Sequence, residues 1–244
     1  MLWTLWGSGH SLADMSDTPS DAAVPQAPSA RTMVRRGANR ADYDDATIKD
    51  ILAAGVVAHV GVMTDDGPLV LPMAYGVRED TIYIHGAVAN ALLRAGRELD
   101  VCITVTIVDA LVVARSPLHN SMNYRSVVIR GTATAVTDPD EHMSTLKVIN
   151  DHIAPIWDTA RLPSATDFKR TMVLAVPLAE ASAKVRSEDP IDEDEDLTGP
   201  HWSGLVPLKH TWGQPVAAAD LISGIETPAA VAALGDTDAH ALRQ

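Results

Sequence analysis

One short segment of the sequence combines residue types that could bind an anionic group. Residues 83–90 read Tyr-Ile-His-Gly-Ala-Val-Ala-Asn, so His85 and Gly86 lie where a predicted strand meets a predicted helix. Backbone N–H groups at a helix start are free to bind a phosphate, and a glycine lets the phosphate approach closely. The segment therefore predicts a phosphate site. The alternative is an ordinary strand-to-helix turn in which His85 forms a local hydrogen bond.

Two other polar segments could complete such a site. Residues 121–126 read Ser-Met-Asn-Tyr-Arg-Ser at the start of an apolar strand. Their amide, guanidinium and hydroxyl groups could bind a ribityl chain or a phosphate, or could hold a loop in place. Residues 182–186 read Ser-Ala-Lys-Val-Arg, and a strand would place Lys184 and Arg186 on one face. These cations indicate either an anion site or a solvated edge strand.

Other potential sites are weaker. The acidic residues 192–196 lack the glycine and the spaced ligands of a calcium loop, so they predict a solvated linker. The histidines show no HExxH spacing. His59 and Cys102 lie in apolar strands, where we expect both side chains to belong to the core. We therefore predict no metal site and no thiol nucleophile, and the sequence identifies no catalytic side chain.

Charge and composition limit the class of protein. The formal net charge of −13 disfavours nucleic acids and anionic membranes as partners, because phosphate surfaces attract Lys and Arg. Hydrophobic residues make up 46% of the 244 residues, which is enough for a large core. No apolar run approaches the roughly 20 residues of a membrane span. Since the chain has one cysteine and a poor secretory signal, we expect a cytoplasmic protein.

The remaining pattern predicts a mainly β fold with a few short helices. Two β-rich runs flank the turn sequence at residues 65–67, Asp-Asp-Gly, which predicts a hairpin. Asp44 and Asp138 each precede a helical pattern that they could cap. Further strands are predicted at residues 81–86, 101–116 with a break near Asp109, 124–138 and 171–186. Six or more strands with short turns favour an antiparallel barrel over alternating βαβ units.

The predicted barrel lies between two tails. Residues 1–40 are rich in Ser, Pro, Ala and Asp without apolar periodicity, which predicts a disordered N-terminal tail. Residues 41–212 contain all the predicted strands and helices. Residues 213–244 are Ala-rich and predict a flexible C-terminal tail.

Four segments in this order resemble a known family: DDGPLVLPMAY, then IYIHGAVAN, then ALVVARSPLHNSMNYRSVVIRG, then EASAKVR with WSGLVPL. Across residues 40–212 the chain resembles the flavin-nucleotide-binding branch of the pyridoxamine 5′-phosphate oxidase-like superfamily. It is more distantly similar to the nitroimidazole-resistance reductases. The resemblance implies a six-stranded antiparallel split β-barrel that forms a homodimer with two FMN molecules at the subunit interface. It also implies flavin-based oxidoreductase chemistry on a small molecule, in which the flavin itself transfers the electrons or hydride.

The resemblance also implies which residues contact FMN. It places Pro72, Met73, Ala74 and Tyr75 along the isoalloxazine edge; His85, Gly86, Ala87 and Asn90 by the phosphate and ribityl chain; Asn123, Tyr124, Arg125 and Ser126 on the other side; and Lys184, Arg186 and Trp202 in the approach from the second subunit or the C-terminal segment. Residues 88–91 depart from the Ser-Arg-Lys-like phosphate residues of the oxidases. Phosphate binding would then rest on backbone N–H groups with Arg94, Arg125 or Lys184, and vitamin B6 oxidation is not expected.

Two alternatives belong to other functional classes. Related split barrels hold haem or a deazaflavin, and in that case His85 or His119 would be the candidate haem ligand. A dimer without a cofactor could instead serve as a partner or regulatory protein. The sequence does not identify the electron donor or the acceptor.

Overall fold

The computed structural model describes residues 26–87 and 98–241. In these two ranges it contains ten strands and four α-helices. The strands are β1 (Ala41–Asp42), β2 (Ala58–Thr64), β3 (Gly67–Met73), β4 (Tyr75–Arg78), β5 (Thr81–Ala87), β6 (Leu99–Val113), β7 (Ser121–Ala135), β8 (Thr171–Pro177), β9 (Ala181–Arg186) and β10 (Gly204–Pro207). The helices are α1 (Asp45–Ala54), α2 (Pro139–Ile153), α3 (Ala165–Arg170) and α4 (Ala229–Ala232).

All the paired strands are antiparallel, in the order β3-β2-β6-β7-β8-β5-β4, with β10 on β6, β9 on β7 and β1 on β9. The prediction of a mainly antiparallel β fold with few helices is confirmed. The predicted count of six strands is too low for the described residues. Short edge strands such as β1 and β10 add to the count, and a 3-10 helix at Leu178–Glu180 separates β8 from β9.

The β6–β7 hairpin is the longest feature of the sheet, with fifteen residues in each strand. The sequence predicted two strands broken near Asp109, but the structure has one continuous strand. Its register shifts between Val108 and Ala110, so Asp109 occupies a β-bulge. A bulge adds one residue to a strand without ending its pairing, and the sequence pattern does not distinguish it from a turn.

The predicted turn and helix caps are confirmed. Thr64 pairs with Gly67 across the β2–β3 turn, where Gly67 has a φ of 112°. The Asp44 carboxylate accepts hydrogen bonds from two backbone N–H groups of α1, and Asp138 caps α2 in the same way. These local signals depend only on neighbouring residues, which is why the sequence reveals them.

The main core lies between α1 and the sheet. Ile51 and Leu52 of α1 pack with Val60 and Ile103 of the strands, and all four side chains are buried. The expectation that His59 and Cys102 belong to this core was wrong. His59 is exposed and Cys102 is half-buried. Successive side chains of a strand point to opposite faces, so each neighbour of a core residue faces away from the core.

Strand β5 is covered on both faces. Ile82 and Ile84 belong to the main core, whereas Tyr83 packs in a second cluster with Ile149 of α2. Helix α2 also crosses β4 at Gly76, where an added Cβ would lie 2.7 Å from the carbonyl oxygen of Val148. The lack of a side chain at Gly76 therefore lets α2 approach the sheet.

Segments assigned to the tails contact the sheet where the structure describes them. Arg40 forms an ion pair of 2.6 Å with Glu188, and the carbonyl of Arg36 accepts a hydrogen bond from Lys184. At the other end, His240 lies 3.0 Å from the carbonyl oxygen of Ala54. The predicted boundary at residue 40 therefore falls inside a segment that packs on the barrel.

None of the helices in residues 26–87 and 98–241 is both long enough and apolar enough to cross a membrane.

Replacing Gly76 with alanine should loosen the contact between α2 and β4. The new methyl group would overlap the α2 backbone, and overpacking of this kind costs about 1–3 kcal/mol. We expect Tm to fall by roughly 2–12 °C, measured by thermal unfolding. Gly61→Ala is the matched control, because its Cβ would lie an ordinary 3.4 Å from the nearest atom. Equal Tm values for Gly76→Ala and the wild type would contradict the close approach.

Stability should fall in acid partly through His142, which joins α2 to α3. Its ring meets Phe168 edge-on at 5.3 Å, and burial lowers the pKa of the imidazole. As the pH falls, the His142 imidazole of the unfolded chain takes up a proton near pH 6.5, whereas that of the folded chain does so only at a lower pH. This contribution to stability is therefore complete above about pH 6.5 and is lost as the pH falls below that value.

Urea unfolding midpoints between about pH 7.5 and pH 5.5 measure this loss. The variant His142→Phe keeps an aromatic ring against Phe168 but cannot take up a proton, so its midpoint should fall less steeply in acid. Wild type and variant should show the same pH dependence above about pH 7. An equal fall of the urea midpoint in acid for wild type and His142→Phe would rule out this role for His142.

Candidate functional site

The structure brings the first two predicted groups together. Tyr75 pairs with Ile84 across β4 and β5, so Ala74 and His85 lie next to each other at one end of these strands. Tyr75 itself is fully buried, and its hydroxyl donates a 2.6 Å hydrogen bond to the carbonyl of Leu52. Only the backbone of Tyr75 can therefore reach a cofactor. We call residues 72–75 and 85–87 the first half-site; Asn90 lies outside the described residues.

The third and fourth predicted groups also meet. Tyr124 pairs with Arg186, and Ser126 pairs with Lys184, across β7 and β9. Asn123 accepts a 2.5 Å hydrogen bond from Arg186, and both side chains are about 5% exposed or less. We call residues 123–126 with Lys184 and Arg186 the second half-site.

The cations of the second half-site have partners within the chain. Arg125 binds Asp109 at 2.8 Å, and this hydrogen bond raises the pKa of the guanidinium above its ordinary value. Arg186 donates to the carbonyl oxygens of Glu188 and Asp189 as well as to Asn123. These contacts satisfy a buried charge, as a structural role requires.

Lys184 differs from the two arginines. It is half-buried, and its ammonium group donates a 2.8 Å hydrogen bond to the carbonyl of Arg36. An ammonium group has three N–H donors, so two remain after this bond. Lys184 is therefore the cation of the second half-site that is best able to bind a phosphate.

Part of the first half-site is separated from the second along β7. The second half-site is centred on Arg125 of β7. At its other end, β7 approaches the first half-site through β8, because Ala135 of β7 pairs with Leu174 of β8. The neighbouring residue Val173 pairs with His85 of β5. Nine residues of extended chain lie between Arg125 and Ala135, and the ten steps give a path of about 33 Å. Trp202 lies near the second half-site, just before the Gly204 to Val113 pair, and is 64% exposed. Residues 85–87 therefore lie far along β7 from the second half-site, whereas Pro72 is connected to Val128 of β7 through the paired residues His59 and Thr104.

A pocket with a volume of about 240 Å³ adjoins the first half-site. It lies between β5, the start of β8, α2 and the segment leading into α3. We call it the His85 pocket, and it is lined by His85, Leu146, Ile149, Asn150, Ile153, Trp157, Pro163, Asp167 and Thr171. Most of this surface is apolar.

His85 is the unusual group in this pocket. Its Nδ1 atom is buried and has no hydrogen-bond partner among the described residues. Burial lowers the pKa of the imidazole, so the neutral form predominates at pH 7. A neutral imidazole with an unpartnered nitrogen can bind a metal ion or donate a hydrogen bond to a ligand.

Sequence reasoning missed the wall of this pocket. Leu146, Ile149, Asn150 and Ile153 follow the i, i+3, i+4, i+7 spacing of one helical face. The sequence predicted α2 but did not show what this face covers. The helical spacing was the available signal for this apolar face. Nothing in the sequence indicated that Trp157, which follows the helix, would line the pocket.

The acidic run is less solvated than predicted. The Asp192 side chain is only 1% exposed and accepts hydrogen bonds from Arg115 and Ser203. Ligand atoms of His119, Asp192 and Asp196 lie within 4.8 Å of one another. The linker interpretation was therefore wrong for Asp192, while the absence of a metal stays a prediction.

Comparisons with known structures extend over most of the chain. A flavocytochrome from Azotobacter vinelandii is 34% identical over 87% of this chain and 100% of its own, with a TM-score of 0.83. An FAD and heme binding protein from Mycobacterium smegmatis is 28% identical over 82% and 99% of the two chains, with a TM-score of 0.78. A chain from Bacteroides thetaiotaomicron, assigned to 5-nitroimidazole antibiotic resistance, is 25% identical over 59% and 86%, with a TM-score of 0.49.

No curated protein matches this sequence. A family model described as pyridoxamine 5′-phosphate oxidase matches residues 44–185, which run from the cap of α1 to the residue before the end of β9 and contain both half-sites except for Arg186. The match extends over more than half of the chain, and it agrees with the family resemblance of the sequence segments. The chain belongs to the pyridoxamine 5′-phosphate oxidase family.

Proposed function

We propose that this protein is a flavin-binding oxidoreductase that also carries haem and acts as a homodimer. The observation that carries the proposal is the 34% identity with a flavocytochrome over the whole length of that chain. The similar protein from Mycobacterium smegmatis is named for binding both FAD and heme. Flavin and haem together perform hydride and single-electron transfer, so the protein needs only to bind, orient and shield them.

The first half-site suits the flavin ring and ribityl chain. Its residues 72–74 and 85–87 offer mainly backbone N–H and carbonyl groups at adjacent strand ends. Backbone groups of this kind fix the orientation of a ring without a dedicated acid or base. Both FMN and FAD contain the isoalloxazine ring, the ribityl chain and the first phosphate. The resemblance of the sequence segments implied FMN, whereas the name of the similar Mycobacterium smegmatis protein favours FAD.

The separation of residues 85–87 from Lys184 along β7 supports a dimer. A single chain places about 33 Å of strand between Arg125 and the part of β7 that adjoins the first half-site. A second copy can instead present its own Lys184 and Trp202 to the first half-site. In a symmetric dimer each such contact occurs twice, which gives two equivalent cofactor sites.

Lys184 is the residue that we assign to the cofactor phosphate. Arg186 is 4% exposed and bonded to Asn123 and to backbone carbonyls, so it stabilises the chain around it. The remaining donors of Lys184 can form charge-assisted hydrogen bonds, which are stronger than neutral ones. This assignment separates a binding cation from a structural one.

The purified protein should be yellow, and denaturation should release a flavin that mass spectrometry identifies as FAD or FMN. Light scattering should give twice the monomer mass. Lys184→Gln should weaken flavin binding at least about tenfold, because a charge-assisted hydrogen bond contributes about 1.5–3 kcal/mol. Lys49→Gln is the control, since Lys49 pairs with Asp80 on the exposed surface.

Two outcomes would refute the proposal. A colourless protein that ignores added FMN and FAD would exclude the flavin. A flavin-loaded protein with the mass of one chain would exclude the dimer. Unchanged flavin affinity in Lys184→Gln would remove Lys184 from the site.

A further inference from the structure

The His85 pocket has the composition of a site for a large apolar ring with one metal atom. Its apolar lining residues are Leu146, Ile149, Ile153, Trp157 and Pro163. Its volume of about 240 Å³ is below the range of typical enclosed ligand sites, so a large ring would be only partly enclosed. Such a site could enclose one edge of a planar macrocycle and leave the other edge in water.

His85 supplies the donor that the apolar wall lacks. Its side chain lies on the α2 side of β5, because it alternates with the core residues Ile82 and Ile84. An unpartnered buried polar atom costs about 1–3 kcal/mol, so such an atom in a folded protein requires an explanation. Coordination to a metal ion removes this cost, and a neutral imidazole is the form that coordinates.

Exposed cations lie beside this pocket in an otherwise acidic protein. Lys169 and Arg170 end α3, directly before the lining residue Thr171, and both are exposed. Arg161 is bonded to the lining residue Asp167 and is 76% exposed. Positive side chains at the open edge suit a macrocycle whose acidic substituents point to solvent, as the propionates of haem do.

We infer that the His85 imidazole is an axial ligand of the haem iron and that the macrocycle occupies the His85 pocket. The inference rests on the haem-binding part of the proposed function and goes beyond it by assigning the pocket and the ligand. His119, the other histidine considered from the sequence, is not among the residues that line this pocket. Its Nδ1 atom is also buried without a hydrogen-bond partner, but its Nε2 atom lies 3.9 Å from Glu193 and the ring lies beside Asp192 and Asp196.

Haemin titration of the full-length protein, followed by absorption spectroscopy, tests the ligand directly. The wild type should show a shifted Soret band. His85→Ala should bind haemin at least about tenfold more weakly and with altered visible bands, and added imidazole should restore the wild-type spectrum. His119→Ala is the matched control and should keep both the affinity and the spectrum of the wild type.

A second variant covers the case in which His85→Ala does not fold. His85→Tyr keeps a bulky ring at this position and offers a phenolate oxygen, so its haemin complex should show the spectrum of tyrosine ligation. Wild-type spectra in His85→Ala or His85→Tyr, or loss of the wild-type spectrum in His119→Ala, would overturn the inference while leaving haem binding intact. No Soret shift in the wild type would refute the haem part of the proposed function itself.

Discussion

Strand β7 must pair with three other strands, and this constraint sets the position of every candidate site. One edge of β7 pairs with β6 along its length. The opposite edge is shared, because Tyr124 to Ile129 pair with β9, whereas Thr134 and Ala135 pair with β8. Since β8 also pairs with β5, residues 85–87 and the His85 pocket lie at one end of β7. The second half-site lies near the other end.

The second half-site shows how the chain accommodates a buried cation. Arg186 would be costly to bury alone, because an unpaired charge loses its hydration. Here it donates to Asn123 and to the carbonyls of Glu188 and Asp189, and Asn123 in turn binds the backbone of Glu188. This network joins β7, β9 and the segment after β9. It therefore fixes the strand that also carries Lys184.

The sequence reveals those parts of the structure that depend on local chemistry. The caps Asp44 and Asp138 and the turn at Gly67 were predictable because each requires only its neighbours in the chain. The burial of His59 and Cys102 was not predictable, since an apolar run does not indicate which of the two faces of its strand is buried. Cross-strand and helix-to-sheet contacts decide that face. The same contacts create the His85 pocket, whose wall belongs to α2 and to residues more than 60 positions after His85.

On the two proposals, the two faces of β5 would let one short strand adjoin both cofactors. Ile82 and Ile84 fix the strand in the main core, so its position does not depend on any ligand. The alternate residue, His85, faces the pocket under α2, while the backbone of residues 85–87 ends beside Ala74 in the first half-site. On the two proposals, flavin and haem would adjoin the same strand end within one subunit. Electron transfer between them would then take place at a strand end that Ile82 and Ile84 hold in the core.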